Sequence, residues 1–115
     1  MTQKVFTTKF NYSMPTEELK KIMPAVAFKF SDILGCHWKI WLINEDQKEA
    51  GGVYLFESAE ALERFLNSAL FASVANNPAF SHLQTNSFAV AEAPSLITDA
   101  PLTKKVPFNE QFHIA

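Results

Sequence analysis

Two strand-like runs joined by a short polar turn constrain the fold of this chain more than any other feature. Residues 36–44 alternate with the period of two that is typical of a β-strand, and residues 49–56 form a second strand-like run. The turn between them is Glu45-Asp46-Gln47-Lys48. This arrangement predicts a β-hairpin. Because an isolated hairpin is only marginally stable, the rest of the chain must supply further strands and a covering layer.

A strand and a helix are predicted before the hairpin. Residues 4–12 have the strand pattern, with alternate residues from Phe6 to Tyr12 on one face. A helix is then expected to begin around Pro15, with Ser13 or Met14 as its cap. Its apolar residues recur at three- and four-residue steps, which predicts a stripe that packs on a sheet. The stripe consists of Leu19, Ile22, Met23, Val26 and Phe30.

The segment after the hairpin predicts a second helix and a fourth strand. Ser58 is a good cap for a helix that continues through Ala69 and is broken at residues 76–78. Residues 85–92 predict the fourth strand, followed by a short helical turn and an extended tail.

The resulting order, β-α-β-β-α-β, is that of a ferredoxin-like fold in the α+β class, with a four-stranded antiparallel sheet. We expect residues 1–102 to form this domain and residues 103–115 to be a C-terminal tail.

Both helices of such a fold lie on one face of the sheet, so the other face needs a different cover. Candidates for that face include Val5, Val53 or Leu55, and one of Trp38 and Trp41. An apolar surface of this size favours burial against a second copy, which predicts a homodimer with a two-sheet α/β barrel. The alternative is a monomer in which the C-terminal tail covers the sheet.

Composition excludes several classes of function. The 115-residue chain has a formal net charge of −2, and it lacks the basic patch that a nucleic-acid-binding protein uses to neutralise phosphates. No apolar run is long enough to span a membrane, and the N-terminus does not resemble a secretory signal. The single cysteine suits a reducing compartment, so we expect a cytoplasmic protein. The three histidines lack the spacing of a metal site, and no metal or other cofactor is predicted.

Aromatic residues are the best candidates for a binding site. Ligand pockets are mostly apolar with a few placed polar groups, and a pocket between sheet and helices would hold a small, flat aromatic molecule. The residues alone leave it open whether these rings form such a pocket or an ordinary core, and they identify no catalytic group. The candidate pocket residues are Thr8, His37, Trp38, Tyr54, Phe56 and His82.

Two segments of the hairpin resemble a known family. Residues 38–41 (WKIW) and 49–56 (EAGGVYLF) are similar to the YdhR-type monooxygenases of the dimeric α/β-barrel superfamily. Pro24 and the run Glu92-Ala93-Pro94-Ser95-Leu96 are similar as well, and the resemblance extends from Val5 to Leu102. It implies a homodimeric barrel, a cavity on the helix side of each sheet, and oxygenation of an aromatic or polyketide-like compound without metal or flavin.

The resemblance also bears on two other functions. The superfamily's haem-degrading branch uses an Asn on the first strand, a Trp on the third and a His on the second helix; here those positions fall on Thr8, Phe56 and Ala75. Haem degradation is therefore disfavoured, since no axial ligand is present at the histidine position. The alternative to an enzyme is a non-catalytic dimeric module that binds a hydrophobic small molecule.

Overall fold

The computed structural model describes residues 2–102 and consists of one sheet with helices packed on it. Residues 103–115, which include the predicted tail and His113, lie outside the described part. The elements in chain order are β1 (Lys4–Tyr12), α1 (Thr16–Ser31), β2 (Cys36–Asn44), β3 (Glu49–Phe56), α2 (Ala59–Leu66), α3 (Ala69–Ala75), β4 (Phe80–Ala89) and α4 (Glu92–Ile97).

The sheet has the strand order β2-β3-β1-β4, and all neighbouring strands are antiparallel. The first strand is therefore central although it comes first in sequence, as the ferredoxin-like arrangement requires. The predicted α+β fold class is confirmed. None of the helices in the described part of the chain is long and apolar enough to cross a membrane.

Aromatic rings fill the space between the sheet and the helices. Phe6 of β1 and Tyr54 of β3 are opposite each other in the sheet, with ring centroids 5.5 Å apart. Phe65 of α2 packs on both, at 6.2 Å and 5.3 Å. Phe56 is fully buried in the same cluster, and Phe30 joins it from α1. Offset and edge-to-face ring pairs of this kind add to the stabilisation from burial.

The predicted second helix is in fact two helices. The chain leaves helical geometry at Asn67 and Ser68, where the Ser68 hydroxyl accepts a hydrogen bond of 3.2 Å from the Phe71 backbone N–H. Serine is a favoured N-cap, and here it starts a new helix after α2 has ended. The prediction of one helix through Ala69 is therefore wrong. The apolar residues keep a helical spacing on both sides of Ser68, so the pattern did not show that a new helix begins there.

The fourth strand begins earlier and ends earlier than predicted. It spans Phe80–Ala89 instead of residues 85–92, and its register against β1 shifts between Lys9 and Asn11. At this bulge His82 has a φ of 57°, in the left-handed region. A bulge inserts an extra residue and breaks the two-residue alternation, which hides the first half of the strand from pattern analysis.

The start of α1 also differs from the prediction. Pro15 is the N-cap residue, and its carbonyl oxygen accepts hydrogen bonds from the backbone N–H groups of Glu18 and Leu19. Ser13 instead pairs with Ala79 through its own backbone N–H, at 2.9 Å. Neither Ser13 nor Met14 caps the helix, because the Ser13 backbone N–H and hydroxyl are both directed to the Ala79 carbonyl oxygen, just before β4.

A second bulge lies at the start of β2 and decides which face each residue occupies. Cys36 is opposite Phe56, whereas Trp38 is opposite Leu55, so His37 is the extra residue. Trp38 therefore faces away from the helices. After the bulge, Lys39 and Trp41 face the helix side. Without the extra residue, regular alternation from Cys36 would have placed Trp38 on that side instead.

The face of the sheet opposite the helices, here called the open face, carries polar residues and several exposed apolar side chains. Ile40 is 51% exposed, Leu42 is 42% exposed and Phe88 is 60% exposed. Within residues 2–102, only one end of this face is covered. There the Trp38 indole N–H donates a 2.7 Å hydrogen bond to the Pro101 carbonyl, and Leu55 is fully buried.

Candidate functional site

A cavity of about 160 Å³ lies between the helix side of the sheet and helices α1 and α3. Its walls are mostly apolar, with Val26 and Phe30 from α1 and Leu70 and Val74 from α3. The sheet contributes three of the polar side chains. Thr8, Lys39 and Tyr54 line the cavity together with the ring of Trp41. An apolar space with a few polar groups from a rigid sheet is typical of a small-molecule site.

Lys39 is the most unusual residue of this cavity. Its Nζ lies 3.7 Å from the ring centroid of Phe30 and 3.6 Å from that of Trp41. The ring of Tyr54 is 4.8 Å away. Three aromatic rings therefore surround one amine, an arrangement that attracts an ammonium group through the negative faces of the rings.

Two glycines in β3 make close approaches possible at this site. A Cβ at Gly52 would lie 2.6 Å from Lys39 Cε, so glycine leaves the space that the lysine side chain occupies. A Cβ at Gly51 would overlap the Thr8 carbonyl oxygen of β1. Adjacent glycines inside a strand indicate either a bulge or a close approach, and the continuous register between β1 and β3 here shows that these two mark close approach.

Burial changes the protonation of Lys39. Removal of the side chain from water lowers the pKa of Lys39 from 10.5 to about 7, and the neighbouring Cys36 acts weakly in the opposite direction. This change amounts to roughly 5 kcal/mol against the charged form. The attraction of the rings for an ammonium is smaller, about 0.5 to 2 kcal/mol, so both forms of the amine are populated near neutral pH.

Tyr54 and Cys36 both stay protonated near neutral pH. Burial raises the pKa of the Tyr54 phenol well above its usual value; Cys36 adds to this change, while the Thr8 hydroxyl counteracts it. Burial likewise raises the pKa of the Cys36 thiol to about 11. The cavity thus offers a neutral phenol and a neutral hydroxyl as hydrogen-bond donors, beside an amine that can gain or lose a proton.

The structure brings together some of the predicted pocket residues. Thr8 and Tyr54 line the cavity from adjacent central strands. Phe56 lies next to Tyr54, with ring centroids 6.0 Å apart, but it is fully buried in the core and does not reach the cavity.

The other three candidates lie elsewhere. Trp38 is on the open face, and His37 is the bulged residue at the edge of β2. His82 is exposed at the bulge in β4, where its Nδ1 lies 3.2 Å from the Ser81 hydroxyl oxygen. Neither histidine lines the cavity.

Sequence reasoning missed Lys39 and Trp41 as cavity residues. Alternation counted from Cys36 places both on the opposite side, and only the extra residue at His37 reverses this. The sequence holds one signal, because the pair Gly51-Gly52 inside a strand indicates either a bulge or a close approach to β3. The Lys39 side chain is one of the groups that approach closely.

Comparison with protein families identifies the family of this chain. Residues 5–101 match the family described as "Putative mono-oxygenase ydhR". The chain belongs to this family. The match covers most of the chain and agrees with the predicted resemblance, whose limits were Val5 and Leu102. No curated protein is significantly similar in sequence to this member of the ydhR family.

Solved structures similar to this ydhR-family chain confirm its fold. SnoaB, a cofactor-independent oxygenase from Streptomyces nogalater, is 17% identical, with a TM-score of 0.63; the match covers 78% of this chain and 94% of SnoaB. A protein from Shewanella oneidensis is 13% identical, with coverage of 77% and 91% and a TM-score of 0.64. The haem degrader MhuD from Mycobacterium tuberculosis, with two haems bound, is 21% identical, with coverage of 76% and 95% and a TM-score of 0.59.

The cavity of this ydhR-family protein does not fit a haem. About 160 Å³ is below the range of roughly 300 to 1,000 Å³ that holds drug-sized ligands, and a haem is larger than most of these. No histidine within residues 2–102 reaches the cavity walls. Ala75, which the family resemblance matches to the haem-binding histidine, is exposed at the end of α3. Among the described residues, no group of three or more His, Cys, Asp or Glu side chains lies close enough to hold a metal ion.

A second concavity of about 370 Å³ lies on the open face and is larger than the cavity. It is a shallow groove whose walls include Thr7, Lys9, Leu42, Val53 and Asn86. Its volume exceeds that of the cavity, but it lacks a cluster of aromatic rings and groups with shifted pKa values. For these reasons we take the cavity between sheet and helices, and not this groove, as the candidate small-molecule site.

Proposed function

We propose that this protein is a cofactor-independent monooxygenase that acts on a single-ring, electron-rich phenol held between the sheet and the helices. The observation that carries this proposal is the cavity, in which an aromatic wall surrounds the polar groups of Thr8, Lys39 and Tyr54. Membership of the ydhR family supports the reaction type, and the geometry supports the class of substrate.

Cavity size favours one ring over several. An engineered protein cavity of about 150 Å³ lined by apolar side chains binds benzene, which is the scale found here. A polyketide-like substrate with three or four fused rings needs a wider space between α1 and the sheet. The structure therefore favours the aromatic compound over the larger polyketide among the two classes that the family resemblance implies.

A hydroquinone satisfies the chemical requirements of this site. Without a metal or flavin, the electrons that reduce O₂ must come from the substrate, and a phenolate gives them more readily than a phenol. One hydroquinone and one O₂ yield one hydroxyquinone and one water, so that one oxygen atom enters the ring and the other is reduced to water. The protein contributes by positioning the ring, stabilising its anion and excluding bulk water.

The proposal predicts oxygen uptake with hydroquinone or methylhydroquinone above the rate in buffer, and one ¹⁸O atom in the quinone formed from ¹⁸O₂. Tyr54→Phe should lower kcat/KM by roughly tenfold, because it removes a hydrogen bond aimed at the ligand. Tyr12→Phe is the matched control, since the Tyr12 hydroxyl lies 2.7 Å from Thr16 Oγ1 and is not part of the cavity.

Oxygen uptake no faster than in buffer would contradict the enzyme proposal. Thermal stabilisation by hydroquinone without turnover would then support the alternative, a binding module for a small aromatic molecule. Equal kcat/KM values for Tyr54→Phe and Tyr12→Phe would show that the Tyr54 hydroxyl does not take part in substrate binding or turnover. Anthrone, with three fused rings, tests the size argument, and turnover faster than with hydroquinone would contradict it.

A homodimer is the second part of the proposal. The open face presents Ile40, Leu42 and Phe88 to water on one side of a rigid sheet, and a second sheet packed on it would bury all three. The segment that ends at Leu102 covers only the end near Trp38, so the described part of the chain does not cover the rest.

Light scattering is expected to give twice the chain mass of 12.9 kDa at micromolar concentration. Leu42→Glu should shift the protein towards monomer, because it places a charge in an apolar interface. Phe28→Glu is the control, since Phe28 lies on α1 and is 62% exposed. A monomeric wild-type protein would overturn the proposal.

A further inference from the structure

We infer that Lys39 accepts the proton of the phenol bound in the cavity, so that the ligand is held as a phenolate beside an ammonium group. This assignment rests on the proposed function for the choice of a phenol as ligand. It adds a proton acceptor, which neither the family match nor any motif in the sequence supplies.

The first argument is that Lys39 has no polar partner in the described part of the chain. Both ion pairs found there involve other lysines, Lys9 with Glu49 and Lys20 with Glu45. No hydrogen bond of the Lys39 amine to another described residue is present, and its neighbours are the three ring faces. A lysine without an acceptor on a cavity wall is positioned to interact with a ligand and not with the protein.

The second argument is that the site can hold the amine in either charge state. Removal from water favours the neutral amine when the cavity contains no anion, and the rings of Phe30 and Trp41 favour the ammonium once it forms. An anion brought into the same low-dielectric space adds a strong Coulombic attraction. The amine therefore gains a proton as the ligand loses one, and the net charge of the complex does not change.

The step itself is a simple proton transfer. The phenol O–H bond breaks, the electron pair stays on the oxygen, and the proton forms a new N–H bond on Lys39 Nζ. The products are an ammonium and a phenolate, and no external acid, base or oxidant is required. In a later oxygenation the same ammonium stabilises negative charge that develops on reduced oxygen.

Other titratable groups near Lys39 do not compete for this role. Cys36 on β2 and Tyr54 on β3 are kept protonated by burial, and so cannot take a proton at neutral pH. Lys29 of α1 also lines the cavity, but it is exposed. The lining residues from β1, β4 and α3 carry no titratable group. Lys39 is therefore the basic group nearest to a ligand held on the sheet.

The test uses 4-nitrophenol, because its phenolate and phenol forms have different absorption spectra. With the wild-type protein, at a pH slightly below the pKa of free 4-nitrophenol, the bound ligand should show the phenolate spectrum. Lys39→Met should weaken binding at least tenfold and leave the residual bound ligand in the phenol form. Lys39→Arg remains charged and cannot accept a proton, so it should bind the phenolate but lose affinity more steeply as the pH falls.

Two further variants control for indirect effects. Lys21→Met should behave like the wild type, since Lys21 is exposed on α1 and does not line the cavity. Gly52→Ala should weaken phenolate binding as Lys39→Met does, because the added methyl group takes the place of Lys39 Cε. This variant keeps the inference testable if Lys39→Met does not fold.

The inference is overturned if the wild type binds 4-nitrophenol as the neutral phenol, does not bind it, or binds it no better than Lys39→Met does. These outcomes differ from failure of the oxygenase proposal, since 4-nitrophenol binding is measured without turnover. Phenolate binding without oxygen uptake from hydroquinone would leave Lys39 as the proton acceptor of a binding module.

Discussion

Gly51→Ala is expected to destabilise the fold by at least about 3 kcal/mol, the upper end of the usual cost of forcing a group into a packed interior. The new Cβ would overlap the Thr8 carbonyl oxygen, and it would lie 2.8 Å from the Thr8 carbonyl carbon and 3.1 Å from Lys9 Cα. All three atoms belong to the backbone of β1, which is held by strands on both sides and cannot move away. We expect the melting temperature to fall by roughly 12 °C or more.

The neighbouring glycine provides the control for this prediction. A Cβ at Gly52 meets the end of the Lys39 side chain, which can rotate away, and lies 3.3 Å from both the Ile40 carbonyl oxygen and Tyr54 Cε1. Gly52→Ala should therefore cost only about 1 kcal/mol, less than Gly51→Ala. Urea unfolding followed by circular dichroism at one protein concentration measures both variants. Equal destabilisation by the two substitutions would show that the close contact between β1 and β3 is not what requires glycine at position 51.

The second prediction concerns the dependence of stability on pH. In the folded state the pKa of Lys39 is about 7, and in the unfolded state it returns to 10.5. Between these values the unfolded state binds more protons, so the free energy of unfolding should rise as the pH is raised above 7. From about pH 7 to about pH 8.5 this contribution should reach roughly 1 to 2 kcal/mol.

Lys39→Met should remove this rise, and the difference between the two proteins isolates the lysine. Stability should be measured only below about pH 9. At higher pH, ionisation of the Cys36 thiol lowers the free energy of unfolding, which is the opposite of the effect of Lys39. The pKa of the thiol is raised to about 11 in the folded state, so the stability it contributes is present below its ordinary pKa and is lost at higher pH. If the curves of wild type and Lys39→Met are parallel from pH 7 to 8.5, Lys39 is not buried as described.

The fold follows from local features that the sequence displays openly. Alternation in residues 4–12 and 36–44 and the polar turn at residues 45–48 were sufficient to predict the antiparallel sheet. What could not be predicted was a single-residue irregularity. Each bulge, at His37 and at His82, adds one residue to a strand and reverses the faces of its neighbours, yet neither residue type signals this.

The bulges limit the prediction of the candidate site more than the prediction of the fold. Thr8 and Tyr54 belong to β1 and β3, whose mutual register is regular, and both line the cavity. Trp38 lies one residue after a bulge and points to the open face, whereas Lys39 lies on the cavity wall. A lysine between two tryptophans on an edge strand looks like a solvated charge. Only the placement of three rings around it shows that it is buried.

The bulge at His82 has one more consequence, for behaviour in concentrated solution. β4 is an edge strand of ten residues, and its outer row of backbone N–H and C=O groups could serve as a template on which another chain adds a strand. A positive φ at His82 interrupts this row near its start and twists the strand away from the flat geometry that such pairing requires. The irregularity that obscured the strand in the sequence is thus expected to disfavour edge-to-edge pairing of folded molecules along β4.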